Sequence, residues 1–479
     1  MGISSLGYGA GIDSESLVQQ LVALNDKPIT QLQADQTAIQ TDITSYGKVQ
    51  SYMSAVRDAA RTLSDTTVWS ASTVTASDPN VVSATAGSGA APGSYTIKVS
   101  QLAAAQSAAS AAVADSKSSL GSGSLTISLG KWDQTTGAFT QKAGATPMTL
   151  QIPAGSDSLE KIRDLINSSG PGVLASIVTD ASGSRLSIRS KDTGEENGFK
   201  IDATEGTTPA GAPGLSSLAF GGPLATTGLK QTQPGANAKA NINGLDIESA
   251  SNTLTNVMDG LTMQLNKTTA ADASVQVMVA PDGNAVTTAI NAFATAYNSA
   301  MSYLRDQTKY NADSKSAGPL QGDRTAINLM SQLRALAGSS STASSAFGRL
   351  TDIGLEPQTD GTLKVNASKV TSATANMPEL KKFFSTVNTS NKENSGIGQK
   401  FKTLTDGILA SDGAISSRQD SLNNEIKDNN DRQDQLTTRS KAYEARLRAQ
   451  YQALDTQMAG LTSLSNYVSA QLAVLGSGG

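Results

Sequence analysis

The chain has 479 residues, with 37 basic side chains against 41 acidic ones, a formal net charge of -4 and no basic run, so a surface that tracks a phosphate backbone is not expected. It contains neither histidine nor cysteine, which excludes a Ser-His-Asp triad, a thiolate nucleophile and the usual zinc ligands. Only 4% of residues are aromatic and 16% are charged, a composition that favours helices, turns and modest cores, and the length allows about three domains of roughly 100 to 200 residues.

The opening MGISSLGYGAGIDSESLVQQLV holds Gly7, Gly9 and Gly11. These do not make a dinucleotide site, because no strand precedes them, the spacing is not GxGxxG and the later acidic residue is missing. A leader or a close small-residue contact is the expected role. The first helix follows, with Asp13 or Ser14 placed to cap and Leu17, Leu21 and Leu24 on one face, until Pro28 interrupts it. Apolar residues resume at Leu32, Ile39, Tyr46 and Met53 in seven-residue steps, joined by Ile43, Val49, Val56 and Leu63, and this period predicts a coiled-coil seam. No apolar run approaches the roughly 20 residues of a membrane span. The start shows no secretory h-region, and Leu6 stands where myristoylation requires Ser or Thr. These signals by themselves predict a cytosolic protein.

From about residue 75 the period changes to two. Tyr95, Ile97 and Val99, then Leu125, Ile127 and Leu129, then Val275, Val277 and Val279 alternate with polar residues and predict half-buried strands. Asn243-Gly244, Ser182-Gly183 and Asp360-Gly361 sit at hairpin tips. Two low-complexity stretches, 101–123 and 203–238, suit flexible connections and bracket a unit that holds the helix DSLEKIRDLINSSG, ended by Gly170-Pro171. Glu195 and Glu196 are the only tempting carboxylate pair there, and adjacent residues on a turn do not flank a scissile bond. Trp69 and Trp132 are expected in cores more than as binding anchors.

Helices return at Val286, Ile290, Phe293, Tyr297, Met301 and Leu304, again from Asp323 through Leu336, and at MPELKKFF with Pro378 in the first turn. A long terminal helix from about Ser417 to Leu475 repeats Leu447, Leu454, Leu461, Val468 and Leu475 every seven residues, with Leu422, Leu436 and Tyr443 in a second register and Asn429, Gln433 and Ser440 softening the seam. DNNDRQDQL within it is not a calcium loop, because Arg432 and Gln433 stand where a ligand and a Gly are required. Neither terminal segment can bury its stripe alone, so the two are expected to meet.

These segments together resemble the flagellar hook-associated protein 2 family. The resemblance is carried by GYGAGIDSESLVQQLV, PGSYTIKVSQLA, the stretch LEKIRDLINSSGPGVLASIVTDASGSRLSIRSKDTGEENGF, which is similar to a motif of flagellins and hook proteins, NINGLDIESASNTLTNVMDGLTMQL, FATAYN, LQGDRTAINLMSQLR and IGLEPQTDGTLKVNASKV, in that order. It implies an extracellular structural protein, not an enzyme and without cofactor or metal, at the tip of the bacterial flagellum. It further implies export in the unfolded state by the flagellar type III route without a signal peptide, in place of the cytosolic location that the missing signals suggest. The implied partners are flagellin, the export apparatus, an export chaperone and further copies of the chain in a ring, a pentamer being favoured. No nucleic acid or membrane insertion is expected. The alternative is an adhesin whose outward-facing domains bind host mucus or glycans.

The expected fold class is α+β multidomain, with coiled-coil terminal helices forming a leg and β-rich head domains, one inserted into another. The expected divisions are 1–74 as N-terminal leader and coiled coil, 75–106 and 231–283 as two parts of one β-rich domain, 107–230 as an inserted α+β domain with flexible flanks, 284–415 as a helical leg domain with a hairpin, and 416–479 as the C-terminal coiled-coil helix. The apolar stripes make Leu17, Leu21, Leu24, Leu32, Ile39, Met53, Leu447, Leu454, Leu461, Val468 and Leu475 the candidate self-association and filament-contact residues.

Overall fold

The computed structural model of the protein describes residues 13–87, 89–313 and 315–476, with the side chains of 256 and 474–476 outside the described set. Gly7, Gly9 and Gly11 lie outside the described residues. The chain forms two compact units, one from the segments that end at Trp69 and begin at Gly283, the other spanning Ser70–Asp282. The fold is of the α+β multidomain class, with long terminal helices and many β-strands between them.

In the helical unit, the Asp13 carboxylate accepts a hydrogen bond from the Ser16 N–H at 3.0 Å and so caps the helix Ser14–Asn25. Asp26 alone separates it from the helix Lys27–Ser64, in whose first turn Pro28 fits because that turn needs no N–H donor. Tyr46, Val49, Met53, Val56, Ala60 and Leu63 recur at three- and four-residue steps on this second helix, and all are fully buried. The sequence pattern predicts a two-helix seam along this stretch. Its second half instead joins a many-sided core with the helices Gly283–Thr308 and Ile397–Leu409. The aromatic residues decide this. Phe401 meets Phe293 with ring centroids 4.9 Å apart and Tyr297 at 6.0 Å, and such bulk needs partners on several sides. Trp69 stacks on Phe384 and donates its indole N–H to the Leu63 carbonyl at 2.9 Å, a core role.

The β-rich unit holds two cores. A five-stranded sheet runs in the order Ser72–Ala76, Val275–Pro281, Gly93–Gln101, Ala238–Ile242 and Leu245–Ser249, drawing strands from both sides of a long intervening segment. Ile97, Val99, Val275, Val277 and Val279 line its inner face and meet Leu254, Leu261, Met263 and Val82 from the three-stranded sheet of Thr253–Met258, Leu261–Leu265 and Val82–Ala86. Asn243 and Gly244 join two of these strands with φ of 50° and 90°, the doubly positive turn whose twist matches a tight hairpin.

The second core gathers Leu125, Ile127, Ile162, Ile166, Leu186, Ile188, Phe199 and Ile201. Its helix, Leu159–Ser169, is capped by Ser158 and stopped by Gly170 at φ 66°. The stretches expected as flexible connections are folded here. Ser107–Ala109 and Lys230–Gln233 are strands of one sheet, Ala108 is fully buried, and Leu215, Leu218, Phe220 and Leu229 enter the core. Low complexity misled because a few large apolar residues suffice when every one is buried and alanine lets strands approach. Trp132 also belongs to this core and donates to the Phe199 carbonyl at 2.7 Å.

Replacing Phe401 by Ala removes the ring that packs the helix Ile397–Leu409 on the helix Gly283–Thr308, and about 3–5 kcal/mol of stability should go with it. Urea unfolding followed by helical ellipticity is expected to show the transition at markedly lower denaturant. An unmoved midpoint would contradict this account of the core.

Candidate functional site

The helix Lys27–Ser64 and the C-terminal helix Ala414–Gly476, about 95 Å long at 1.5 Å per residue, run antiparallel. Polar links fix their register and that of the preceding helix Ser14–Asn25. The Asn429 amide donates to the Leu32 carbonyl at 3.0 Å, the Gln433 amide donates to the Gln36 side chain at 3.0 Å, and the Ser440 hydroxyl donates to the Asp26 carboxylate. Farther along, Arg448 forks onto Glu15 with contacts of 2.6 and 2.7 Å. That bidentate bond, then the Gln19 amide, hold the Glu15 carboxyl below the usual range, and Glu15 followed by Glu444 hold the Arg448 guanidinium above its own.

A second polar cluster fastens the C-terminal helix to the helical unit. Asp323 accepts from the Tyr46 hydroxyl at 2.5 Å and from the Arg418 guanidinium at 2.9 Å, and it caps the helix Arg324–Ala337 through the N–H groups of Thr325 and Ala326 at 2.8 and 3.1 Å. One carboxylate thus joins three helices. Burial pushes its pKa up, but the Tyr46 hydroxyl, the Ala326 N–H and Arg418 outweigh burial and hold it below the usual carboxylate range. Burial dominates at nearby Asp42, whose carboxyl is raised despite the attraction of Arg418.

The candidate residues fall into distinct groups. Met53 is fully buried inside the helical unit, so it cannot face a partner. Ile39 is half-buried and packs on the same core, Leu32 is half-buried beside Asn429, and Leu447 is 8% exposed. On the first helix the face turned inward is that of Val18, at 0% exposure, whereas Leu17 and Leu24 are exposed and Leu21 is half-buried. Beyond Leu447 the stripe is open. Leu454 is 44% exposed, Leu461 60% and Val468 47%, and Leu464, Tyr467 and Leu472 join them. The side chain of Leu475 lies outside the described residues.

The heptad pattern carries most of this stripe, but Leu464 and Leu472 lie off its seven-residue steps and are visible only once the helix is built. Nothing in the sequence signals the Asp323 cluster except the helix-capping position of Asp323 itself. No chemistry of bond breaking emerges from the carboxylates considered: Glu195 pairs with Lys131 while Glu196 is exposed. Among the described residues no group of three or more His, Cys, Asp or Glu is placed to hold a metal ion. No described helix is long and apolar enough to cross a membrane.

Family models described as flagellar hook-associated protein 2 C-terminus and N-terminus match residues 235–463 and 10–106, and one described as flagellin hook IN motif matches 138–192. The chain is 30% identical to the flagellar hook-associated protein 2 of Salmonella typhimurium over 99% of both chains, and 29% identical to that of Escherichia coli K12 over 98% of both. It is similar to the crystal structure of the flagellar cap protein D1-D2-D3 domains from Escherichia coli, with a TM-score of 0.59 and 28% identity over 79% of this chain and 99% of that one.

Replacing Asp323 by Ala strips a helix cap and leaves Arg418 without its acceptor. About 2–4 kcal/mol should be lost at neutral pH, less than for a wholly buried pair because Arg418 keeps some exposure. The folded pKa of Asp323 lies below the unfolded value. Its contribution is therefore complete above about pH 4 and fades as pH falls through the folded value. Urea titrations should show the gap between native and variant chains closing in acid, and a gap independent of pH would contradict the assignment.

Proposed function

The chain belongs to the flagellar hook-associated protein 2 family, and from that premise we propose that it serves as the cap at the distal tip of the bacterial flagellar filament. Members of this family are structural proteins, not enzymes. The cap assembles copies of the chain into a ring of about five, holds arriving flagellin while it folds into place, and so sustains filament elongation and motility. Its location is extracellular, reached through the flagellar type III route in an unfolded state with an export chaperone. The absence of cysteine suits that route, since no disulfide can block a chain threading a narrow pore. Residues 75–106 with 231–283 are read as one domain and 107–230 as an insert into it.

One observation carries this reading: the apolar stripe of the C-terminal helix continues past its last described intramolecular partner. Burial of one such side chain is worth roughly 1.5 to 3 kcal/mol, so Leu454, Leu461 and Val468 together supply a useful contact free energy to an incoming neighbour. None of the relatives named above is described as an adhesin, and no feature of the stripe favours that alternative.

Cells carrying Leu454→Asp, Leu461→Asp and Val468→Asp together are expected to release flagellin into the medium as monomers and to lose swimming, because three charges cannot be buried unpaired. Circular dichroism of the purified variant should keep its β signal. Normal filaments on those cells would refute the role given to the stripe and turn attention to Leu32 and Ile39.

A further inference from the structure

We propose that the C-terminal helix carries two complementary charged patches through which neighbouring copies of this chain dock side by side, the basic patch of one copy receiving the acidic patch of the next. The proposal rests on the cap reading and adds the surface by which the copies meet.

At about 100° per residue, Arg432, Arg439 and Arg446 fall within roughly 40° of one another on this helix. Arg432 and Arg439 rim a groove whose apolar floor is Pro28, Leu32 and Leu436, built jointly by the two paired helices. Both arginines are exposed, and among the described residues neither forms an ion pair with a carboxylate, whereas Arg418 and Arg448 on the same helix are each paired. Arg446 lies over the Tyr443 ring at 5.4 Å. An apolar floor between two unpaired guanidiniums suits an acidic helical surface.

The same helix supplies one. Asp420, Asp431 and Asp434 lie within roughly 60° of one another on the face opposite the buried seam of Leu422, Asn429 and Ser440. All three are exposed and, among the described residues, none pairs with a cation, although Lys427 interrupts the patch. The two patches are about a third of a turn apart around the helix. Meeting once per neighbour, the two patches give a heterologous contact, and such contacts close into rings when the rotation between copies allows. Meeting twice across a two-fold axis, they would give an isologous dimer instead.

The test is assembly of the full chain by sedimentation velocity. Arg432→Glu with Arg439→Glu should weaken association about tenfold or more, and native assembly should weaken as salt rises from about 0.05 to 0.5 M. Adding Asp431→Lys and Asp434→Lys to the same chain should restore association to within about threefold, because the reversed patches again complement each other. A double variant that assembles like the native chain overturns the proposal, as does a fourfold variant that stays weak while its circular dichroism matches the native. Loss of flagellin binding with ring assembly intact would assign the basic patch to flagellin and overturn it equally. A native chain that stays monomeric overturns this surface together with the cap reading, whereas native assembly indifferent to the reversals overturns this surface alone.

Discussion

The two ends of this chain are each apolar on one face, and part of each stripe finds its cover on the other. Antiparallel pairing of Lys27–Ser64 with Ala414–Gly476 is the contact on which the helical unit depends, because it joins segments separated by nearly the whole sequence. The loop closed by that contact is long, but closure entropy grows only slowly with length, so the intervening β-rich unit adds little to its cost. The fully buried side chains of the N-terminal helix, from Tyr46 to Leu63, then complete a core with three further aromatic residues, Phe293, Tyr297 and Phe401.

The seam is not uniformly apolar, and its polar members set how the helices slide. Asn429, Gln433 and Ser440 each find a partner on or just before the N-terminal helix, so a shift of one turn would leave two buried polar groups and one half-buried one unsatisfied. A wholly leucine seam would bind more tightly and specify register less well. Asp323 plays the corresponding part at the other end of the paired stretch, where a single carboxylate satisfies a helix terminus, a phenol and a guanidinium.

Periodicity made the elements legible, since a seven-residue repeat or an alternation of two reports that a face is covered. It does not report what covers it. Met53 continues the repeat begun by Leu32 and Ile39, yet it lies in a many-helix core because Phe401 and its neighbours come from remote parts of the chain. On the first helix the three leucines make the stronger stripe, but Val18 faces inward and Leu17 and Leu24 stay exposed. The Asn243-Gly244 turn was legible from two residues because positive φ demands that chemistry locally. The Asp323 cluster was not, because Tyr46, Asp323 and Arg418 have no spacing in common. The Ala/Ser tract failed as a linker signal for a related reason: composition measures how much core a segment can build alone, and Ala108 is buried by others.

Among the described residues, intramolecular pairing covers the C-terminal helix to about Leu447 and leaves Leu454 through Leu472 exposed, and we propose that assembly supplies their cover. Hydrogen exchange followed by mass spectrometry, on dilute chain and on assembled cap, tests that claim most directly. Amides of 454–473 should exchange quickly in the dilute chain and gain protection of about tenfold or more on assembly, while those of 286–304 stay equally protected in both states. Equal protection of 454–473 in the two states would contradict it.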